Sequence, residues 1–373
     1  MKNSEILTTI LKNMEETHIN LYHSVSKAEV EKYVSSLKNL DTLDDISFDG
    51  ELLKFFNIFK DAHTSYYIPY RYLDKQLFFI ENKVLLKHEG KYKEVLSIGN
   101  MPIDCFIKNI AEMQNYETQE FLFDCIRGAI NNQYYYQMLG LSNANGAIEC
   151  IVKNYGKQES VIINGVSLEE YKRLALSPNT PYYSCKTISN EILYIKYRKC
   201  SEYENYPFSQ FVEELKQEIE NKGLTQYILD LRGNHGGNSS IIKPLVKIIK
   251  KLSLDGVVLI DNGVFSSGRW AVADFKKTFN TLLIGEPTGG AATSYGNNRK
   301  LKVGDKNFSV SVSFFDFSKI FGSQGSIQPD ILVPQTIDDL KNGKDKPLDV
   351  AVSYLEKKMY KEPKYDLKEE KQM

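Results

Sequence analysis

The sequence predicts an α/β fold for the second half of the chain, preceded by a helical segment and an α+β domain. Three observations support this division. Apolar residues recur at helical spacing over residues 1–65, and short apolar runs alternate with turn pairs over residues 66–175. Apolar strands then alternate with amphipathic helices over residues 176–356, which favours right-handed β-α-β units and a mostly parallel sheet.

The first segment, residues 1–65, is predicted to be helical. The stretch "SKAE" at residues 26–29 fits a capping box, and Val30 follows it as the first of several apolar residues at helical spacing. Leu52, Phe56 and Phe59 share one face of a second helix, which leads into "KDAHT".

The middle segment, residues 66–175, is predicted to be an α+β domain. The stretch "QLFFIENKVLLKHEGKYKEVLSIGN" contains turn pairs at Glu81-Asn82 and Glu89-Gly90, so we expect several strands joined by tight turns. A helical stretch over about 117–138 and strands near 147–153 and 160–164 complete it.

The third segment, residues 176–356, carries the β-α-β pattern. Its predicted elements are the strand "EILYIKY", the helix "FSQFVEELKQEI", the strand "YILDL", the helix "IIKPLVKIIKKL", the strand "GVVLI", the helix "GRWAVADFKKTF" and the strand "TLLIG". A later strand, "FSVSVSF", alternates with period two, and a final helix begins near Asp345, a candidate cap, with Pro347 in its first turn. Residues 357–373 are charged and predict a frayed tail.

Composition excludes some functional classes. The net charge of −1 gives no global field that would attract nucleic acid or anionic lipid. Five cysteines without CxxC spacing argue against a disulfide framework or a structural zinc site, and favour reduced, mostly buried thiols. The sequence begins without an apolar leader and contains no stretch long enough to span a membrane, so we predict a cytoplasmic protein, or a secreted one if a leader has been removed.

Three loops follow the predicted parallel strands, at the sheet edge where α/β proteins place their sites. They are "DLRGNHGGNSS", "DNGVFSSG" and "GEPTGGAATSYG". All three are rich in glycine and small polar residues, which lets the backbone approach a ligand closely. A phosphate-binding loop is disfavoured because neither GxGxxG nor the Lys-Ser/Thr pair of a P-loop is present.

The first two loops together suggest nucleophilic catalysis. Ser266 and Ser267 stand between a strand and a helix, where a hydroxyl lies near the positive end of the helix dipole, although a simple N-cap would explain a serine equally well. The N–H groups of Gly236 and Gly237 could form an oxyanion hole. Asp230 and Arg232 are expected to brace the turn.

Several motifs in this order resemble the tail-specific, or C-terminal processing, serine proteases, above all their tricorn-related branch. They are "LDLRGNHGG", "FSSG", "LIGEPTGG", "IQPDILV" and "GKDKPLDVAVSYL" between about residues 185 and 355, with "KDAHT" and "VLSIGNMPI" extending the resemblance toward the N-terminus. The resemblance implies a crotonase-like (Clp-protease-like) catalytic domain, an N-terminal helical segment and a degenerate PDZ-like α+β domain.

The resemblance also assigns roles to residues. It places the nucleophile on Ser266, and the oxyanion-hole amides on Ser267 with Gly236 or Gly237. Many family members carry a lysine base where this chain has Ala291, whereas the tricorn-related branch uses a histidine that corresponds to His63. Imidazole suits a general base because its ordinary pKa of about 6.5 lies near neutral pH.

The third member of the site is less defined. The tricorn-related branch has a glutamate before its "PD" motif, but "VSFFDFSKIFGSQGSIQPD" contains none, so Asp316 or Gln324 could orient the imidazole, or the site could have two members. His235 is the alternative base, because it lies inside the glycine loop. Asp330 is expected to be a structural turn residue.

The resulting hypothesis is a serine endopeptidase that needs no metal or organic cofactor and acts on a polypeptide or peptide substrate. Nucleic acid and membrane are not expected partners, and the sequence gives no signal for an oligomeric state. One alternative is a catalytically inactive relative that binds peptides. Another is a crotonase-fold enzyme acting on acyl thioesters.

Overall fold

The computed structural model describes residues 1–143, 145–154, 156–174, 176, 181–188 and 191–361. The chain divides into two compact units. Unit 1 comprises Met1–Thr180, Thr288–Ile327 and Thr336–Lys341, and unit 2 comprises Pro181–Pro287, Gln328–Gln335 and Asn342–Met373. The sequence-based division differs from these units, because it separates residues 1–65 from residues 66–175 and places Thr288–Ile327 and Thr336–Lys341 with the β-α-β segment.

Strands and helices alternate one by one over residues 192–285, whereas elsewhere in the described chain elements of the same kind also follow one another. The α-helices are α1 Asn3–Thr17, α2 Lys27–Ser36, α3 Asp45–Asn57, α4 Ile103–Glu112, α5 Gln119–Ala129, α6 Gln133–Met138, α7 Leu168–Arg173, α8 Phe208–Lys222, α9 Lys243–Lys251, α10 Ser267–Phe279, α11 Ser318–Phe321, α12 Ile337–Asn342 and α13 Lys346–Lys361, with a 3-10 helix at Leu40–Thr42. The strands are β1 Tyr66–Tyr67, β2 Tyr72–Leu73, β3 Leu77–Ile80, β4 Lys83–His88, β5 Lys91–Ile98, β6 Met101–Pro102, β7 Ile148–Asn154, β8 Lys157–Ile163, β9 Gly165–Val166, β10 Tyr183–Thr187, β11 Ile192–Tyr197, β12 Gln226–Asp230, β13 Asp255–Ile260, β14 Leu282–Gly285, β15 Thr293–Gly296, β16 Arg299–Val303, β17 Lys306–Val310, β18 Ser313–Asp316 and β19 Ile331–Leu332.

The N-terminal helices of unit 1 confirm the predicted caps and apolar faces. Ser26 and Glu29 form the expected capping box at the start of α2, with the Glu29 N–H donating to Ser26 Oγ at 3.3 Å. In and after α3, Phe48, Phe56 and Phe59 are almost fully buried in the core of this unit. Burial of these large side chains stabilises the segment that leads into residues 60–65.

The middle of unit 1 is a meander of antiparallel strands in the order β3-β4-β5-β7-β8, with β6 paired to β5. Glu81 and Asn82, and then Glu89 and Gly90, have positive φ angles, as a two-residue hairpin turn requires, so the predicted turn pairs are confirmed. The helical stretch expected over 117–138 is two helices, α5 and α6. The break between them is fixed by Asn132, whose side chain accepts from the Tyr134 N–H.

Residues 288–327 belong to unit 1 because of how their strands pair. β17 pairs with β1 and with β16, and β15 pairs with β18. The single strand expected for "FSVSVSF" is therefore two strands, β17 and β18. Between them the Ser311 N–H donates to Thr64 Oγ1 at 3.0 Å instead of to a neighbouring strand.

Unit 2 contains the predicted β-α-β pattern. Its sheet has the order β10-β11-β12-β13-β14-β19, in which every pairing is parallel except that of β10 with β11. Helices α8, α9 and α10 connect successive parallel strands. On one face, Ile228 and Leu259 pack in a cluster with Leu355 of α13, and on the other the ring of Tyr227 lies 5.9 Å from that of Phe275 in α10.

Two expectations from composition concern the whole chain. Among the described residues, no helix combines the length and apolar character needed to cross a bilayer. The five cysteines are free thiols: Cys150 and Cys200 are buried, Cys125 and Cys185 are half-buried, and Cys105 is exposed.

Candidate active site

Ser266 lies in the turn that joins β13 to α10, and its backbone is strained. Its φ is +50° and its ψ is −124°, a combination that L-residues rarely adopt because of steric clashes involving Cβ. The side chain is half-buried and makes no capping hydrogen bond to α10, so the N-cap explanation for this serine is not supported. A strained non-glycine residue at such a turn is typical of functional sites.

Ser267 has a different role from its neighbour. It is the first residue of α10, it is buried, and its hydroxyl donates to the carbonyl oxygen of Gly237 at 2.6 Å. Its hydroxyl therefore braces the glycine loop, while its backbone N–H belongs to the first helical turn, where amides have no acceptor within the helix. The two serines thus expose different groups: Ser266 presents its side-chain hydroxyl, and Ser267 presents its backbone N–H.

The glycine loop after β12 packs against the Ser266 turn through backbone atoms. A Cβ built on Gly236 would lie 2.6 Å from the nitrogen of Ser267 and 2.9 Å from Cβ of Ser266, so only glycine fits there. Gly237 has φ of +135°, and a Cβ on it would overlap the carbonyl oxygen of Cys200. The Gly236 N–H donates to Asn234 Oδ1 at 2.9 Å. This bond leaves the Gly237 amide, rather than that of Gly236, as the candidate partner of the Ser267 amide.

Asp261 and Asn234 hold the two loops in this arrangement. Asp261 Oδ1 accepts from the Gly233 N–H at 2.8 Å and from the Gly263 N–H at 3.0 Å, which ties the glycine loop to the serine loop. The Asn234 carbonyl accepts from the Phe265 N–H at 3.0 Å. These bonds preorganise the backbone amides around Ser266.

Asp230 and Arg232 brace the same edge, as the sequence predicts. Arg232 donates to both oxygens of Asp230 and, at 2.7 and 2.8 Å, to the two oxygens of Asp345 at the start of α13. Asp345 also accepts from the Leu348 N–H and so is the expected cap. Burial disfavours the charged form of Asp230, but Lys196 and Arg232 outweigh it and lower the pKa of the carboxyl to about 2.

His63 lies in unit 1, between α3 and β1, and is buried. Its N–H donates to Asp61 Oδ1 at 3.0 Å, and its carbonyl accepts from Ser309 Oγ at 2.8 Å and from Asn298 Nδ2 at 3.1 Å. A Cβ built on Gly296 would lie 3.6 Å from His63 Nε2, so the imidazole ring lies close to the backbone of β15. The loop that carries the histidine is therefore fixed from both sides.

The carboxylate of Asp61 holds the loop that carries His63 through several hydrogen bonds. Its Oδ2 accepts from Thr64 Oγ1 at 2.6 Å and from His18 Nε2 at 2.9 Å. His18 Nδ1 accepts from the Asn20 N–H, so Nε2 must carry the proton that it donates to Asp61. Burial disfavours the charged carboxylate, yet these hydrogen bonds and the nearby His63 lower the pKa of Asp61 to about 2.

Glu117 is the functional candidate that sequence analysis missed. One carboxylate oxygen each of Asp61 and Glu117 and one ring nitrogen of His63 lie within 4.8 Å of one another. Such a group of atoms could also hold a metal ion. Glu117 Oε1 accepts from the Ala291 N–H at 3.1 Å. Glu117 is 54 positions from His63 in the sequence and lies in no recognisable motif, whereas Asp61, two residues before His63, could have been considered.

Asp316, the acid that the sequence suggests as the third member of the site, does not lie in the three-residue group that contains His63. Its carboxylate is exposed and accepts from the Ser318 N–H at 2.7 Å, which lowers its pKa. In the β15–β18 ladder Asp316 faces Thr293, whereas Gly296, at the other end of β15, approaches His63. Three residues of strand separate the two ends, about 10 Å.

The remaining candidates are also accounted for. Gln324 is exposed, and its carbonyl accepts from the Thr293 N–H. His235 is exposed in the glycine loop of unit 2. Asp330 accepts from the Leu283 N–H at 2.8 Å and pairs with Lys276 at 2.9 Å, which confirms its structural role.

A strained serine at a strand–helix turn, beside a glycine loop with an available amide, is an arrangement that acyl-transfer sites in α/β proteins can use. Residues 191–253 match the model of peptidase family S41. Comparison with curated protein sequences finds no significant match. The resemblance to the tail-specific proteases that the sequence indicates is confirmed.

Solved structures share the fold at low sequence identity. The structure of mature CPAF complexed with lactacystin superposes with a TM-score of 0.60 at 11% identity, covering 95% of this chain and 98% of that one. The photosystem II D1 C-terminal processing protease gives 0.51 at 10% identity, covering 90% and 94%. A putative peptidase from Parabacteroides merdae gives 0.50 at 14%, covering 95% and 97%. The chain thus shares the α/β fold of these solved structures, which, together with the family match over residues 191–253, is consistent with a peptidase.

Proposed function

We propose that the protein is a serine endopeptidase of the tail-specific, tricorn-related type, with Ser266 as nucleophile and His63 as general base. In this proposal unit 2 is the crotonase-like catalytic domain, and the β-meander of unit 1 is a degenerate PDZ-like domain. Cytoplasmic location and the absence of nucleic acid partners stay predictions from the sequence.

One observation carries the proposal, namely the contrast between the two adjacent serines. The Ser267 hydroxyl is used in a structural bond to Gly237, whereas Ser266 is held at φ +50° without a capping bond. Strain of this kind costs on the order of 1–3 kcal/mol, and a position that carried no function would be more stable as glycine. The strained position presents a hydroxyl next to amides, as acyl transfer requires.

The proposed chemistry follows from these groups. Ser266 Oγ attacks a peptide carbonyl while His63 takes its proton, and the oxyanion that forms accepts hydrogen bonds from the Gly237 and Ser267 amides. His63 then returns the proton to the leaving amine, and the C–N bond breaks to leave an acyl-enzyme. Water, deprotonated by His63, hydrolyses this ester and regenerates Ser266.

The proposal is tested by labelling with a fluorophosphonate, which phosphonylates activated serines. Wild type is compared with Ser266→Ala, Ser267→Ala, His63→Ala and His235→Ala, and the modified residue is located by mass spectrometry. Loss of labelling with Ser266→Ala and His63→Ala, but not with His235→Ala, is the expected pattern. Labelling that survives Ser266→Ala would contradict the assignment of the nucleophile.

A peptide-binding protein without turnover is the second candidate. It is favoured by Ala291, which stands where many family members carry a lysine base. Such a protein would bind unfolded polypeptide with an affinity that Ser266→Ala leaves unchanged, and the folded wild type would resist labelling. A peptidase would instead release new N-termini from the same polypeptide.

A further inference from the structure

We infer that Glu117 is the acid that positions His63 and balances its charge, in place of a glutamate before the "PD" motif. This inference rests on the proposed function of His63 as a base. Glu117 belongs to unit 1, like His63, and lies in the short connection between α4 and α5. It would act through His63, without touching the substrate, as a positioning residue.

The inference begins with proximity. A carboxylate oxygen of Glu117 lies within 4.8 Å of an imidazole nitrogen of His63. At that distance a negative charge favours the imidazolium over the neutral ring. His63 becomes an imidazolium when it takes the proton of the nucleophile, so the carboxylate stabilises that state and itself keeps no proton.

The second argument is that Asp61, the other carboxylate near His63, is already committed. Its Oδ1 accepts from the backbone N–H of His63, and its Oδ2 accepts from His18 and Thr64. Asp61 is almost completely buried, and its hydrogen bonds fix it to the loop backbone. Asp61 therefore positions the main chain of His63, which leaves the orientation of the ring to another group.

The third argument concerns how Glu117 is held. Its Oε1 accepts from the Ala291 N–H at 3.1 Å, and the next residue, Thr118, donates from its hydroxyl to the Gly289 carbonyl. Thr118 also caps α5 by accepting from the Phe121 N–H at 3.0 Å. Glu117 is thus fixed to the segment after "GEPT", at the residue that aligns with the lysine of other family members.

Besides Asp61, whose charge also lies near His63, the segment 296–309 packs against this residue. Gly296, Asn298 and Ser309 of that segment lie close to His63, and none of the three carries a charge. His18 donates to Asp61 Oδ2 at 2.9 Å, and Asp61 in turn accepts from the His63 N–H. Asp316 is exposed and accepts from the Ser318 N–H at 2.7 Å.

The test compares Glu117→Gln with Glu120→Gln. Glutamine keeps an acceptor for the Ala291 N–H but removes the charge, so the variant separates electrostatics from a structural brace. Glu120 is the matched control because it lies three residues on and accepts from Ser326 Oγ at 2.7 Å. Peptidase kinetics are measured as a function of pH in EDTA, so that no cation bound at the three-residue cluster contributes.

Glu117→Gln is expected to lower kcat by about 100-fold or more with little change in KM. The acidic limb of the kcat/KM profile should move to lower pH by about one unit, because loss of a nearby negative charge makes the imidazolium less stable. Glu117→Asp should recover part of the loss, and Glu120→Gln should behave as wild type. Unchanged kcat and pH profile in Glu117→Gln would overturn the inference.

A second measurement does not depend on activity. His63 is titrated by NMR in the Ser266→Ala background, with and without Glu117→Gln. A fall of about one unit in its midpoint is expected, and an unchanged midpoint would overturn the inference. If the enzyme is inactive throughout but the midpoint falls, the proposed function fails while the coupling of Glu117 to His63 stands. Asp61→Asn is expected to lower the midpoint as well, because Asp61 and His63 interact electrostatically, so the absence of a further fall on adding Glu117→Gln to that variant would also overturn the inference.

Discussion

At position 266 the glycine variant should be more stable than the alanine variant, whereas at position 267 the alanine variant should be the more stable one. Both Ser266→Gly and Ser266→Ala remove the hydroxyl, so they differ only in the Cβ atom and in backbone freedom. At φ +50° and ψ −124° the Cβ costs on the order of 1–3 kcal/mol. Glycine avoids this cost, but it also gives the unfolded chain more conformational entropy, which offsets roughly 0.5–1 kcal/mol of the gain.

The net expectation is that Ser266→Gly is more stable than Ser266→Ala by about 1 kcal/mol, within a range of roughly 0–2.5 kcal/mol. The central value corresponds to a melting temperature about 2–4 °C higher for a domain of about 150 residues. Calorimetry or circular dichroism on the two variants measures the difference. The control pair is Ser267→Gly and Ser267→Ala, in which both variants lose the bond to Gly237. Alanine should be the more stable there by about 1 kcal/mol, since position 267 is helical.

Comparison with the control pair shows which results would refute the claim that the backbone of Ser266 is strained. If Ser266→Ala is at least as stable as Ser266→Gly, the backbone at position 266 is not strained. If position 267 favours glycine as strongly as position 266 does, the preference does not depend on the strained φ at Ser266 and says nothing about the turn.

Three further predictions concern the groups around the two loops. Gly237→Ala should lower kcat/KM by about 100-fold or more, because the added Cβ would clash with the Cys200 carbonyl and shift the Gly237 amide, which is a proposed oxyanion donor. Near-wild-type kinetics would contradict that role. The lowered pKa of Asp61 should contribute about 2 kcal/mol of stability above pH 5 that is lost as the pH falls toward 2, and Asp61→Asn should flatten this dependence in acid denaturation. Arg232→Ala should cost about 3–5 kcal/mol in chemical denaturation, since it leaves the buried Asp230 carboxylate poorly compensated, and a loss below 1 kcal/mol would argue against this brace.

Local signals in the sequence were sufficient for most of unit 2. The alternation of apolar strands and amphipathic helices predicted β11 to β14 with the connecting helices, because each β-α-β unit is built from contiguous residues. The turn pair Glu89-Gly90 and the cap Ser26 were likewise predictable, since their geometry depends on only a few neighbouring residues.

Tertiary pairing was not predictable in the same way. The segment 288–327 follows the parallel sheet in sequence but pairs with β1, which lies more than 200 positions earlier. Glu117 reaches the surroundings of His63 through a hydrogen bond to Ala291, a contact between segments that no periodicity connects. The family resemblance places the third member of the site before the "PD" motif, where Asp316 is the nearest acid, so this pattern points to Asp316 and gives no signal for Glu117.

The strain at Ser266 also bears on the choice between a peptidase and a peptide-binding protein. A binding groove needs the backbone shape of the two loops, which Gly236, Asn234 and Asp261 already supply. It does not need a side chain at φ +50°, and glycine there would make the turn more stable. If Ser266→Gly raises the melting temperature above that of wild type while abolishing labelling, the serine is retained at a cost in stability. That result would favour catalysis, because only turnover requires the hydroxyl at this position.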